Sequence, residues 1–162
     1  MNFLLLNRIL TVWAFLFINL TLYAQETSFV LLEGKPVFTV RSDKKDHLYL
    51  HIIIKEGYHI QANQVNDENL VPTRLSFDSP DGIHFGNPIF PKTEDLLIEG
   101  LDNPWKVYSG KLVIKVPIQL EKRVVMGKGN LIIDGNLFYQ ACDDKKCFFP
   151  RDFNFKMKLI IK

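Results

Sequence analysis

The sequence predicts an all-β domain, an immunoglobulin-like antiparallel sandwich, and three observations carry that expectation. Short runs rich in β-branched and aromatic residues, several of them alternating polar with apolar, recur from residue 29 to residue 161. Turn signals separate them: Glu33-Gly-Lys-Pro36, Ser79-Pro-Asp-Gly82, Gly86-Asn-Pro88 and Gly127-Lys-Gly129. Beyond residue 24 no stretch of ten or more residues carries the 3.6-residue period of an amphipathic helix. Seven to nine short strands with frequent turns are the pattern of a two-sheet sandwich.

Residues 1–24 read as an export signal rather than as fold. Met1 to Arg8 is a short segment with one positive charge, Ile9 to Tyr23 is almost wholly apolar, and the small Ala24 precedes the polar Gln25. Read this way the segment is cleaved. Left uncleaved it would be an N-terminal anchor, although its apolar core is slightly short of the roughly 20 residues a span needs. Residues 25–162 then form one domain, with no second apolar run of spanning length. Arg8 leaves with the signal, so of 20 basic residues 19 remain against 18 acidic ones. No basic block stands out, so there is no electrostatic footprint for nucleic acid.

The strand candidates follow in order. Phe29 to Leu32, Val37 to Arg41 and Tyr58 to Gln61 are short. His47 to Lys55 is long and β-rich, and Thr73 to Asp78 alternates. Ile83 to Phe85 is another short run. Lys111 to Ile118 alternates until Pro117, which argues for an edge or strand-end position because proline cannot donate to a ladder. Asn130 to Gln140 and Phe153 to Ile161 complete the chain. Asn66 to Val71 has room for one helical turn. Pro91 to Trp105 is the longest strand-poor stretch, and long loops on compact domains are often functional.

No cofactor or metal site is expected. His47 and His51 would share a strand face but lie about 13 Å apart at 3.3 Å per residue, too far for one metal. His59 and His84 have no evident ligand partners, and Asp78 and Asp81 flank a turn where Asp is common.

The chemistry is concentrated in two cysteines, Cys142 and Cys147, separated by Asp143-Asp-Lys-Lys146. If the four intervening residues form a hairpin-like loop, the cysteines face each other across it. Opposed residues in an antiparallel ladder have Cα atoms about 4.5–5.5 Å apart, and a disulfide needs about 4.4–6.8 Å. In an oxidising compartment two close cysteines usually pair. A six-residue loop gives a disulfide only about 2 kcal/mol of chain-entropy stabilisation, while a bond on a loop is accessible to an attacking thiolate. Spacing alone therefore leaves a structural staple and a working redox pair both open. Lys145 and Lys146 favour a thiolate, whereas Asp143 and Asp144 disfavour it. Tyr139, Phe148 and Phe149 flank the pair, either shielding it or packing as ordinary core.

The segment Tyr139-Gln-Ala-Cys-Asp-Asp-Lys-Lys-Cys-Phe-Phe-Pro150 resembles the C-terminal motif of the periplasmic N-terminal domain of DsbD, a transmembrane thiol:disulfide interchange protein. Gly57-Tyr-His-Ile60 resembles the family's glycine–aromatic–histidine strand. Phe85-Gly-Asn-Pro-Ile-Phe-Pro91 and Val107-Tyr-Ser-Gly110 fall where the family has similar turns. The resemblance spans roughly residues 26–162. It implies an immunoglobulin-like sandwich in the periplasm with a cycling disulfide. The reduced pair would pass electrons to oxidised periplasmic proteins and be re-reduced by a thioredoxin-like or membrane DsbD-type partner. Cys142 and Cys147 match the redox cysteines. Cys142 is expected to form the mixed disulfide and Cys147 to resolve it. A cap loop would lie between Leu96 and Tyr108, with Trp105 as a shield beside Tyr139 and Phe148. Full-length members continue into membrane helices and a thioredoxin-like domain. This chain ends at Lys162, so a borrowed reductant is expected, and a further reading is a standalone relative or fragment that assists a thioredoxin-like reductase in cytochrome maturation or envelope repair. The rival expectation is a non-catalytic envelope binding or scaffold module whose disulfide stiffens a loop.

Overall fold

The computed structural model describes residues 28–41, 45–98, 103–126 and 129–162. The expected signal segment lies outside the described residues. Twelve strands are formed among them. They are β1 (Val30–Leu32), β2 (Val37–Val40), β3 (Asp46–Ile54), β4 (His59–Gln61), β5 (Arg74–Phe77), β6 (Ile83–Phe85), β7 (Glu94–Leu96), β8 (Trp105–Ser109), β9 (Lys111–Leu120), β10 (Gly129–Tyr139), β11 (Ala141–Cys142) and β12 (Arg151–Ile161). One five-residue helix, α1 (Lys122–Met126), follows β9. The segment 66–71 forms a turn, not a helical one, closed by a hydrogen bond from Leu70 N to Asp67 O.

The strands make three sheets, in the orders β1-β3-β9-β6, β2-β12-β10-β5 and β11-β4-β8-β7. Pairing is antiparallel except between β2 and β12, where Val37 to Val40 run alongside Lys158 to Ile161 in parallel. The two longest ladders build the sandwich: β10 with β12, from Gly129↔Ile161 to Tyr139↔Arg151, and β3 with β9. Both follow from period-2 sequence. In β9 Leu112, Ile114, Val116, Ile118 and Leu120 are buried, and in β12 Phe155, Met157, Leu159 and Ile161 are, so one face of each strand enters the core. Buried residues of all three sheets join in one apolar cluster, among them Leu50, Ile52, Ile60, Ile114, Leu137 and Met157.

Gly135 is a glycine that its ladder requires. It stands opposite Phe155, and a Cβ there would lie 2.5 Å from the Phe155 ring. The ring covers the gap that the missing side chain leaves in the middle of the sheet.

Pro117 departs from expectation. It sits in β9, an interior strand, opposite His47 of β3. Its carbonyl accepts from Gly86 N at 2.9 Å, so its missing N–H faces the point just beyond Phe85 where β6 ends. The ladder stops there, and the lost donor leaves no gap in it.

The stretch between Pro91 and Trp105 holds the short strand β7, and Trp105 itself opens β8. With β4 and β11 these two strands form the small third sheet, which carries the cysteines.

Candidate redox site

Strand β10 ends at Tyr139, and after Gln140 the chain pairs briefly with β4: Ala141 opposite Ile60, Cys142 opposite His59. Alternation then divides the two faces. Ile60 and Ala141 belong to the core cluster. His59, Gln61 and Cys142 point the other way, since opposed residues share a face and i, i+2 neighbours repeat it.

Cys142 and Cys147 form a disulfide, and their backbones make an antiparallel bridge. The intervening residues make the expected hairpin-like loop. The Cα atoms are 3.9 Å apart, closer than in a regular ladder. Asp143 N donates to Lys146 O on one side of the pair and Phe148 N to Ala141 O on the other. The cysteines therefore occupy the non-hydrogen-bonded kind of position, in which side chains stand closest.

The loop is ordered by its own first residue. The Asp143 carboxylate accepts from the backbone N–H of Lys145 and of Lys146, each at 2.8 Å. Those two bonds hold its carboxyl below the usual carboxylate range. This is an Asx-type turn, the local bonding that makes Asp common in tight loops.

The two cysteines are not equally buried. Cys142 is 1 % exposed, whereas Cys147 is only partly buried. Beneath the bond lies a polar side chain: Gln61 Nε2 is 3.2 Å from Cys142 Sγ and 3.9 Å from Cys147 Sγ, and Gln61 is fully buried. Both backbone groups of Gln61 are occupied, its N–H by Gln140 O and its carbonyl by the Thr73 hydroxyl. Gln140 fastens the neighbourhood, accepting from Val71 N at 2.9 Å and donating to Phe148 O at 3.3 Å. His59 is 9 % exposed. Burial pushes its imidazole below the ordinary histidine range, against a smaller opposing pull from Asp143.

Of the three shielding candidates, Phe148 stands next to Cys147 in an aromatic group, its ring centroid 4.6 Å from Phe29 and 6.0 Å from Tyr58. Lys146 Nζ lies 5.1 Å from the centre of that ring. Tyr139 is 1 % exposed and belongs to the core, where its hydroxyl accepts from Phe29 N at 3.2 Å. Trp105 pairs with Leu96 at the far end of β8, two residues beyond Val107, which is the partner of Gln61. Phe149 is 89 % exposed. Sequence reasoning does not single out Gln61 or Gln140. The available signal was polar residues at alternate positions in a strand flanked by apolar ones, with Gln140 directly before the Ala-Cys pair.

With this geometry in view, known proteins supply the context. The family model described as "Thiol:disulfide interchange protein DsbD, N-terminal" matches residues 28–158. The chain belongs to the DsbD N-terminal family. No curated protein matches it. The N-terminal periplasmic domain of ScsB from Proteus mirabilis superposes with a TM-score of 0.51 at 12% identity, over 84% of this chain and 49% of that one. This chain thus spans about half the length of that ScsB structure, and the likeness concerns the fold. The reduced DsbD N-terminal domain of Neisseria meningitidis gives a TM-score of 0.45 at 20% identity, over 72% of this chain and 79% of that one. The expected family and the all-β, immunoglobulin-like fold are thereby borne out, and so is a closed Cys142–Cys147 pair.

Proposed function

We propose that this DsbD N-terminal domain works in the periplasm as a disulfide relay. It takes reducing equivalents from a thioredoxin-like or membrane DsbD-type partner and delivers them to oxidised envelope proteins through Cys142 and Cys147. One observation carries the reading: the disulfide sits on a self-ordered four-residue loop, with Cys142 fully buried and Cys147 only partly so.

That asymmetry favours Cys147 as the sulfur that meets partners, the reverse of the order expected from the motif. An incoming thiolate must approach along the S–S axis, and Cys147 is the less buried of the two cysteines. A partner thiolate attacks Cys147 Sγ, a partner–Cys147 disulfide forms, and the electron pair of the broken bond leaves on Cys142. The partner's second thiol then displaces Cys147, leaving a dithiol here and a disulfide on the partner. Delivery to an oxidised protein runs the same steps backwards.

Trapping tests this. In the cell envelope Cys142→Ala, which leaves Cys147 alone, should accumulate mixed disulfides, and Cys147→Ala should accumulate far fewer. A reduction potential well below about −300 mV, the range of inert structural bridges, together with no trapped partner from either variant, would defeat the relay and favour a scaffold module.

A further inference from the structure

Resting on that exchange reading, we infer that the Gln61 amide is a catalytic group of the relay. It stabilises the thiolate that leaves on Cys142, and so fixes which sulfur is attacked and which is released.

Gln61 is fully buried, and its backbone is held on both sides by Gln140 and Thr73, so the side chain has little freedom to turn away. Its Oε1 has no hydrogen-bond partner among the described residues. Its Nε2 is directed at the two sulfurs, nearer to Cys142 at 3.2 Å than to Cys147 at 3.9 Å. A disulfide sulfur is a weak acceptor. The closed state therefore buries a polar group with little return, and a buried polar group that is poorly satisfied asks for an explanation.

The return comes when the bond opens. Attack at Cys147 Sγ sends the electron pair to Cys142 Sγ, which becomes an anion inside the fold. An N–H donor already in place, away from water, then gains a charge-assisted hydrogen bond without having to reorganise. The donor is thus better matched to the charge that develops than to the resting disulfide, which is the condition for accelerating a step. Attack at Cys142 would instead place the charge on Cys147, where the amide is more distant. In the delivery direction the same bond favours the Cys142 thiolate that resolves the mixed disulfide.

Two measurements on the exported chain test the assignment. In a Cys147→Ala background the Cys142 thiol is titrated by its ultraviolet thiolate absorbance, with and without Gln61→Met. Methionine keeps the length and removes the donor. The pKa should rise by about one unit, the size of a hydrogen bond to a charged group. In the intact pair, reduction by dithiothreitol should slow about tenfold in Gln61→Met, and further in Gln61→Glu, whose charge opposes the thiolate. Should Gln61→Met not fold, Gln61→Asn takes its place, drawing the amide back by one methylene, and the same rise is expected. An unchanged Cys142 pKa would overturn the role of Gln61. A wild-type disulfide that neither dithiothreitol nor a thioredoxin-like dithiol reduces would overturn the exchange reading instead, and the titration would still decide on Gln61.

Discussion

The long ladders of β3, β9, β10 and β12 and the small sheet of β4, β7, β8 and β11 are built on opposite terms. In the former each strand runs nine to eleven residues, and most positions of its inward face are aliphatic or aromatic. In the latter the strands run two to five residues, and β4 is buried on both faces, with Ile60 against the core and His59 and Gln61 on the other side. Burying apolar area drives folding, and burying polar groups opposes it. The long ladders therefore hold the domain together, while the small sheet uses that stability to keep polar and sulfur groups sheltered.

The sharpest test of this contrast is a cavity in the long ladders. Leu137 of β10 is fully buried within the cluster. Leu137→Ala should lower the unfolding free energy by about 2–5 kcal/mol, measured by denaturant titration, with little change in the exchange rate of molecules that remain folded. Opening the small sheet should matter less. The Cys142→Ala, Cys147→Ala double variant should lose only about 2 kcal/mol, the stabilisation of a short loop, and keep its cooperative transition. If it unfolds outright, the division of labour is wrong and the disulfide is a structural staple.

The smallest expected effect is a pH dependence at His59. Its folded pKa lies below the ordinary 6.5 because of burial, so the folded state disfavours the imidazolium. The unfolded chain binds that proton more readily, and stability is full above about pH 6.5 and falls as the pH drops below it. The carboxylates that sit below their usual range, Glu33, Asp81, Glu121 and Asp143, act in the same direction but only at lower pH, starting from ordinary values of 4.5 or 3.8. Thermal melts between pH 7.5 and pH 5, a range set around the ordinary histidine value, should show a decline that His59→Asn flattens. An unchanged slope would detach His59 from it.

This contrast also explains what could be read from the chain. The long strands announce themselves by alternation, as in Leu112, Ile114, Val116 and Ile118, and their expected bounds lie within two residues of the observed ones. Pro117 misled as an edge signal, because a ladder's end inside a sheet tolerates proline as well as a sheet's edge does. The short strands β7 and β8 have too few residues for any period to show, and it is pairing that makes them strands, β8 with β4 and β7 with β8. The cysteine pair was legible from its spacing. Gln61 was not, because glutamine in a strand ordinarily signals a solvent face, and its burial is created by segments distant in sequence, Leu70 to Thr73 and Gln140. The difference in burial between the two cysteines also depends on distant pairing, since Cys142 pairs with His59 and Cys147 has no partner in β4.

The Asp143 turn has one more consequence. Its three hydrogen bonds, two accepted by the carboxylate and one from Asp143 N to Lys146 O, involve no sulfur, so breaking the S–S bond removes none of them. The opened thiols are therefore expected to stay tethered as near neighbours at a high effective concentration. In the proposed relay, reclosure then needs almost no search through chain conformations, and the speed of turnover is left to how quickly partners arrive and depart.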